Sequence, residues 1–291
     1  MAATTAKLPT MGARLALVSR RFHAWWEGYA FDGAAERASL LANLPIGGGA
    51  SGRPPNEILA EAIWGAGRLE PGSPTYTMRF ARMLGLPVKA SVVVFGAGAG
   101  GPLEDLDHGT RWKVKGFTQS STAAGGNLKP YGEALGRINK SGADGAISFF
   151  QLNSDANPAA FAEFAAEFLD TGAKAVFADF AVVRKGARLP KCFPSGAGAM
   201  PKTESEYRDA LRAAGFVIEE AGDDTLAFLP LIAEAWSGWR CAYDAIGNIE
   251  DNALRAALLR SMAEQARLWA ERYEALKSGQ LRVLFMRCTR R

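Results

Sequence analysis

The sequence contains few of the residues from which metal centres, disulfide frameworks and hydrolytic triads are built. Its 291 residues include three cysteines and two histidines. Cys192, Cys241 and Cys288 lie far apart, so they form neither a zinc-binding spacing nor a disulfide framework. His23 and His108 lie in no catalytic or metal-binding motif. We therefore predict no metal site, and we expect a protein of a reducing compartment, the cytoplasm.

Long hydrophobic runs and blocks of like charge are also absent from the sequence. No apolar run approaches the roughly 18–20 residues that a transmembrane helix needs, so we predict no transmembrane segment. The formal net charge is +4, and the lysines and arginines are spread along the chain. This distribution is typical of a solvated surface and gives no support for nucleic-acid binding.

The N-terminal part of the chain has the pattern of helices separated by turn residues. Apolar residues recur at three- and four-residue steps from 11 to 30, which predicts an amphipathic helix. A glycine- and proline-rich hinge follows at 47–55, and short helices are predicted at 57–64 and 75–84. We therefore predict that residues 1–87 form an N-terminal helical cap and a lead-in to the domain that follows.

From residue 88 onward, short apolar runs alternate with helical patterns. We predict strands at 91–95, 113–118, 127–131, 144–152, 174–183, 216–220 and 281–288. Helices are predicted at 158–170, 202–214 and 231–277, with Gly172 ending the first of them as a C-cap. Strands that alternate with helices indicate a doubly wound, mostly parallel α/β sheet, which we expect to span residues 88–291.

A glycine cluster follows the first predicted strand. Gly96, Gly98 and Gly101 have the spacing G-x-G-x-x-G, which is typical of a nucleotide-binding turn between a strand and a helix. An NAD-binding enzyme would also need an acid at the end of the next strand to hold the ribose. Phe117, Thr118 and Gln119 lie there instead. A turn that serves only strand-to-helix packing is the other interpretation of these glycines.

The serial order of these elements resembles that of the class I S-adenosylmethionine (SAM)-dependent methyltransferases. The glycine turn after the first strand is similar to the first motif of that family. Residues 142–180 are similar to its segment from the fourth strand to the fifth, 202–225 to its segment around the sixth strand, and 278–288 to its closing strand. The resemblance covers residues 64–291 and implies a Rossmann-like fold, although each segment alone is weak.

The resemblance also implies a set of cofactor-binding positions. In the family, the glycine turn presents backbone N–H groups to the carboxylate of SAM. Those positions are Gly96, Gly98 and Gly100 in this chain. Polar residues at the carboxyl ends of the second and fourth strands complete the expected set, and here they are Thr118, Gln119 and Asn153. No catalytic residue is assigned, since methyl transfer relies mainly on positioning.

Two positions depart from the family pattern, and both belong to the cofactor site. The family has an acid two places before the first glycine and another at the end of the second strand. Val94 and Thr118 stand there in this chain. We therefore expect SAM binding to be weak or lost, in a non-catalytic regulatory or interaction module that acts through a protein partner. The alternative is an active SAM-dependent methyltransferase with an atypical pocket and a small-molecule acceptor. A homodimer is compatible with either hypothesis.

Overall fold

A computed structural model describes residues 52–120, 126–131, 142–153, 157–186, 193 and 200–291. The helix predicted at 11–30 and most of the hinge predicted at 47–55 lie outside these residues. Among the described residues, 52–66 with 232–265 form one compact unit, and 67–231 with 266–291 form a second. The boundary at 87/88 and the cap over residues 1–87 stay predictions.

The smaller unit contains helix α1 (Pro55–Trp64) and parts of three C-terminal helices, which span Thr225–Ser237 (α6), Trp239–Gly247 (α7) and Asn252–Lys277 (α8). The end of α6, all of α7 and the start of α8 belong to this unit. They replace the single helical region predicted at 231–277, because Gly238 and the segment 248–251 interrupt it. Within this unit the indole rings of Trp64 and Trp236 meet edge to face, 6.2 Å apart.

The larger unit contains the sheet and its helices. Its strands are β1 (Ser91–Phe95), β2 (Lys113–Thr118), β3 (Leu128–Pro130), β4 (Ala143–Phe149), β5 (Leu169–Val182), β6 (Lys202–Thr203), β7 (Phe216–Asp223) and β8 (Leu281–Arg290). Its helices are α2 (Pro74–Leu84), α3 (Gly101–Gly109), α4 (Pro158–Ala166) and α5 (Glu204–Ala213). The predicted alternation of strands and helices is confirmed.

The strand order is β3-β2-β1-β4-β5-β8-β7, with β6 paired to the end of β5. All pairs are parallel except those of β8, which runs antiparallel to β5 and β7. The order reverses between β1 and β4. In open α/β sheets the carboxyl ends of the strands at such a reversal form the ligand crevice. The doubly wound, mostly parallel fold that the sequence predicts is confirmed.

The centre of the sheet is buried on both faces. Val92, Val94 and Phe95 of β1 are fully buried, as expected for an apolar run inside a parallel sheet. The ring of Phe95 stacks on that of Phe117 at 5.7 Å and meets that of Phe161, on α4, edge to face at 5.5 Å. These contacts fix the ends of β1 and β2, from which the site is built.

The helix predicted at 158–170 is longer than the helix in the structure. It ends at Ala166, and Gly172, with φ of 86°, lies inside β5. Along β5 the pairing advances from Leu169 to Lys174, while along β4 it advances only from Ala143 to Gly145. The extra residues bulge out of the ladder, and a glycine accommodates the positive φ that this bulge needs.

Candidate functional site

The glycine turn leads from the buried end of β1 into α3. Gly96, Gly98 and Gly100 have φ values of 72°, 60° and 110°. A positive φ is costly for residues with a Cβ, so glycine is favoured at all three positions. Gly100 is the N-cap residue of α3. The strand–turn–helix unit that the sequence predicts is therefore present.

Two of these glycines are also needed because other backbone lies close to them. A Cβ on Gly96 would lie 2.2 Å from the carbonyl oxygen of Phe149, at the end of β4. A Cβ on Gly98 would lie 3.0 Å from the carbonyl oxygen of Gly67 and 3.1 Å from the backbone nitrogen of Leu69. Internal packing thus accounts for glycine at both positions without a ligand.

The backbone N–H groups of the turn are largely bonded within the protein. The N–H of Gly96 donates to the hydroxyl oxygen of Tyr131 at 2.9 Å. The N–H groups of Ala99 and Gly101 both donate to the carbonyl oxygen of Gly67, at 2.9 and 2.8 Å. Among the donors that the resemblance implies for the carboxylate of SAM, those of Gly96 and Gly100 are bonded within the protein, the latter to the carbonyl oxygen of Ala97 at 3.0 Å.

A cleft of about 660 Å³, counting the space open to solvent, lies beside the turn. Four of the predicted residues line it together, namely Gly96, Gly98, Thr118 and Gln119. The other described residues of the lining come from the segment before and within α2 and from the ends of α3 and β4: Arg68, Leu69, Glu70, Pro71, Gly72, Tyr76, Thr77, Pro102, Phe149, Phe150 and Gln151. The sheet thus brings the predicted residues of β1 and β2 to one place.

Thr118 and Gln119 occupy the end of β2. The hydroxyl oxygen of Thr118, which is buried, accepts the N–H of Ser120 at 3.0 Å. The side-chain amide of Gln119 donates to Oε1 of Gln151 at 3.4 Å, and Gln151 donates to the carbonyl oxygen of Phe149 at 2.9 Å. An amide pair therefore connects the ends of β2 and β4. The sequence analysis missed Gln151, although a polar residue directly after two phenylalanines at a strand end was the available signal.

Gly100 and Asn153 are not among the described residues that line the cleft. Both the backbone N–H and the side-chain amide of Asn153 donate to the carboxylate of Asp179, which is fully buried in β5. Burial raises the pKa of Asp179 to about 7, although its hydrogen bonds act in the opposite direction. Asn153 therefore joins the ends of β4 and β5, and its contact with a ligand stays a prediction.

Comparisons with known proteins identify the architecture. No protein-family model and no curated protein sequence matches the chain. Among solved structures, phosphoethanolamine N-methyltransferase 2 of Haemonchus contortus, in complex with phosphomonomethylethanolamine and S-adenosylhomocysteine, aligns with a TM-score of 0.63 at 14% identity. That alignment covers 80% of this chain and 57% of the nematode enzyme, so this chain matches just over half of its length.

Two other solved structures align over nearly their whole length. A putative sarcosine dimethylglycine methyltransferase from Galdieria sulphuraria gives a TM-score of 0.61 at 12% identity and covers 80% of this chain and 97% of its own. The cyclopropane synthase MmaA2 of Mycobacterium tuberculosis gives 0.59 at 12% identity, over 86% and 98% of the two chains. This chain has the class I SAM-dependent methyltransferase fold. The resemblance predicted from the sequence is thus confirmed at the level of the fold.

In this methyltransferase fold, the segment at 67–72 covers the glycine turn. Arg68 forms a buried ion pair with Asp105 of α3, and the hydroxyl of Thr77 also donates to Asp105, at 2.7 Å. The charge of Arg68 is therefore neutralised inside the protein. Glu70 supplies the one carboxylate among the described lining residues, and it lies 3.9 Å from the guanidinium of Arg272. The sequence pattern indicates no functional residue at this place.

Tyr76 is a third lining residue, after Gln151 and Glu70, that the sequence pattern did not indicate. Its ring packs edge to face on Phe80 at 5.0 Å, and its side chain is buried. Its hydroxyl lies near the carboxylate of Asp224, which interacts with it through charge and as a hydrogen-bond acceptor. Burial and the nearby carboxylate of Asp224 raise its pKa well above the usual value, so it stays a neutral phenol. A buried phenol of this kind can hydrogen-bond a ligand in the cleft.

The described part of the chain contains neither a membrane-spanning helix nor a cluster of metal ligands. None of its helices combines the length and the apolar character that crossing a membrane requires. Within the same residues, no three histidine, cysteine, aspartate or glutamate side chains gather as a metal site would need. The arrangement is suited to holding a small molecule by hydrogen bonds and aromatic contacts.

Proposed function

We propose that this protein is a non-catalytic member of the methyltransferase fold, which no longer uses SAM as a cosubstrate and acts as a regulatory or interaction module. The observation that carries the proposal is the state of the cofactor cleft. Val94 and Thr118 stand at the two positions where the family has acids. The N–H of Gly96 is bonded to Tyr131, and the N–H groups of Ala99 and Gly101 are bonded to Gly67. The missing acids and the internally bonded donors together support weak or lost binding of SAM.

The expected loss of affinity is large. A hydrogen bond to a charged group contributes about 1.5–3 kcal/mol. Without the two carboxylates, the loss of two such bonds reaches about a hundredfold or more in affinity. The hydroxyl oxygen of Thr118 already accepts the N–H of Ser120, and a neutral hydroxyl replaces a carboxylate only in part. The expected loss of these two hydrogen bonds supports weak or lost SAM binding.

A role without catalysis requires another molecule to act on. A protein partner in the cytoplasm fits such a module, and a homodimer remains compatible with it. The predicted cap over residues 1–87 would then be a further surface for a partner, and this too is a proposal.

Calorimetry with SAM tests the proposal directly. The wild-type protein is expected to give no saturable heat at millimolar SAM, and a micromolar dissociation constant would contradict the proposal. Thr118→Glu restores the acid at the end of β2 and is expected to create measurable binding. Thr118→Gln has the same length without the charge and serves as the matched control. Thermal unfolding of both variants verifies that they are folded.

A second function is favoured by one observation, the carboxylate of Glu70 in the same cleft. If Glu70 replaces the missing acids, the protein is an active methyltransferase with an atypical pocket. The similar structures include a phosphoethanolamine N-methyltransferase and a putative sarcosine dimethylglycine methyltransferase, so a small-molecule acceptor would then be expected. In that case the wild-type protein binds SAM and Glu70→Gln loses it, whereas Glu104→Gln, on α3, does not.

A further inference from the structure

A shallow groove lies at the opposite edge of the sheet from the cleft. It is formed by the segments that precede β1 and β2, where these strands begin, whereas the cleft lies where they end. Its volume is about 570 Å³. We call it the basic groove, and its walls are Met78, Arg82, Leu86, Val88, Arg111 and Trp112.

Three exposed cations surround the basic groove. Arg82 and Arg111 form part of its wall, and Lys89 lies between Val88 and the start of β1. Within the described part of the chain, none of the three forms an ion pair, a side-chain hydrogen bond or a ring contact. The carboxylate of Asp144, close to the start of β1, accepts the N–H of Ser91 at 2.7 Å and forms no ion pair with these cations within the described residues. The groove therefore presents positive charge that no ion pair in the described part of the chain neutralises.

Hydrogen bonds hold the walls of the groove in place. The indole N–H of Trp112 donates to the carbonyl oxygen of Pro87 at 3.0 Å. The backbone N–H of Lys89 donates to the carbonyl oxygen of Arg111, also at 3.0 Å. The two segments are thus tied to each other, and little ordering is left for a partner to impose.

The backbone at Lys89 is in a conformation that favours glycine. Its φ is 71°, and Lys89 and Phe150 are the two non-glycine residues with positive φ in the described chain. Such a conformation costs about 1 kcal/mol or more for a residue with a Cβ. The structure keeps an exposed lysine there, so the residue is better explained by its charge than by stability.

The floor of the groove is apolar. The thioether of Met78 packs on Gly109, where an added Cβ would lie 2.4 Å from the sulfur. Val88 is 61% exposed although it is apolar. Methionine is an adaptable contact residue, and tryptophan and arginine are the side chains most enriched at the centres of protein interfaces. The groove thus offers an apolar floor with cations at its rim.

We propose that the basic groove binds an acidic segment of a protein partner that inserts one apolar side chain against Met78 and Trp112. The carboxylates of this segment would pair with Arg82, Arg111 and Lys89. A membrane surface fits less well, because Met78, Leu86 and Trp112 are only partly exposed, and a flat bilayer would not reach them. The proposal does not depend on whether the cleft binds SAM.

A labelled peptide provides the test. The probe is a fluorescein-labelled hexapeptide of alternating glutamate and aspartate with one central leucine, and binding is measured by fluorescence anisotropy. The wild-type protein is expected to bind it with a salt-dependent affinity. The double variant Arg82→Ala with Arg111→Ala is expected to bind about tenfold or more weakly. Arg212→Ala, an exposed arginine on α5, is the matched control and is expected to bind as wild type.

Each further arm of the experiment has a defined outcome. A peptide with serine in place of leucine is expected to bind more weakly, and equal binding would refute the apolar insertion. No binding of the leucine peptide at millimolar concentration, or equal losses in the double variant and the control, would overturn the proposal. Arginine-dependent sedimentation with phosphatidylglycerol vesicles, without peptide binding, would assign the groove to a membrane instead. Lys89→Asn is expected to keep the melting temperature, since asparagine tolerates positive φ, and to weaken peptide binding.

Discussion

At the scale of single residues, both close packing and backbone conformation require glycine in the turn. Gly96 and Gly85 have similar backbone angles, with φ of 72° and 61°. They differ in their surroundings, because a Cβ on Gly96 would meet Phe149 and Gln151, whereas a Cβ on Gly85 would meet nothing within 4 Å. Comparing the two glycines therefore separates the cost of a positive φ from the cost of close packing.

We expect Gly85→Ala to lower the free energy of unfolding by about 1 kcal/mol, the cost of a positive φ alone. Gly96→Ala is expected to cost about 2–5 kcal/mol, because close packing against the backbone of Phe149 adds to the same conformational cost. Urea unfolding of both variants measures the difference. Equal losses would mean that the end of β4 moves away freely, contrary to this account.

Asp179 illustrates a different property at the same scale, because this buried carboxyl forms no ion pair within the described residues. Its pKa is raised from 3.8 to about 7 by burial. The folded state therefore binds a proton more tightly than the unfolded state does. The contribution of Asp179 to stability is fully present below about pH 4 and is lost as the pH rises through about 7.

Asp179→Asn removes this titration. Relative to the variant, wild-type protein is expected to lose stability between about pH 4 and about pH 7. Urea unfolding across this range, with Asp209→Asn on the exposed face of α5 as the control, measures the slope. If the wild type and Asp179→Asn changed in parallel with pH, the buried carboxyl would not be the source.

At the scale of elements, local chemistry predicts some boundaries well and others poorly. Thr203 and Glu206 have the spacing of a capping box, and both of its hydrogen bonds are present at the start of α5. The cap involves neighbours along the chain, so the sequence is sufficient for it. The end of α4 depends instead on the bulge between β4 and β5, which neighbouring residues do not reveal.

Thr203→Ala removes the cap of α5. We expect a loss of about 1 kcal/mol in the free energy of unfolding, because the N–H of Glu206 loses its acceptor. Asp209→Ala removes an exposed ion pair on the same helix and is expected to lower the free energy of unfolding by only a few tenths of a kcal/mol. Chemical unfolding of the two variants compares them, and a negligible loss for Thr203→Ala would show that the cap contributes little.

At the scale of the larger unit, an ion pair between a half-exposed arginine and a buried aspartate joins segments that are far apart in the sequence. Arg79 of α2 pairs with Asp224, which directly follows β7. The side chain of Asp224 is 1% exposed and that of Arg79 is 35% exposed. The guanidinium also lies over the ring of Phe285 of β8, at 5.7 Å. Helix α2 is thereby attached to the antiparallel end of the sheet.

The difference in exposure predicts unequal effects. Arg79→Met leaves a buried carboxylate without its cation and is expected to cost about 3–5 kcal/mol. Asp224→Asn leaves a partly exposed arginine that water can solvate, so a smaller loss is expected, and the double variant should recover part of the first loss. Urea unfolding of the three variants completes the cycle. Equal losses in both single variants would argue against this asymmetry.

The sequence by itself determined the order of strands and helices, the glycine turn and the neutral residues where the methyltransferase pattern has acids. These features depend on periodicity and on neighbours along the chain, which a single sequence displays. Only the tertiary structure decided which groups face the cleft. Gln151, Glu70 and Tyr76 reach it from separate elements, and the carbonyl oxygen of Gly67 reaches the donors of the turn. Such contacts form between residues distant in sequence, and no local pattern encodes their distance.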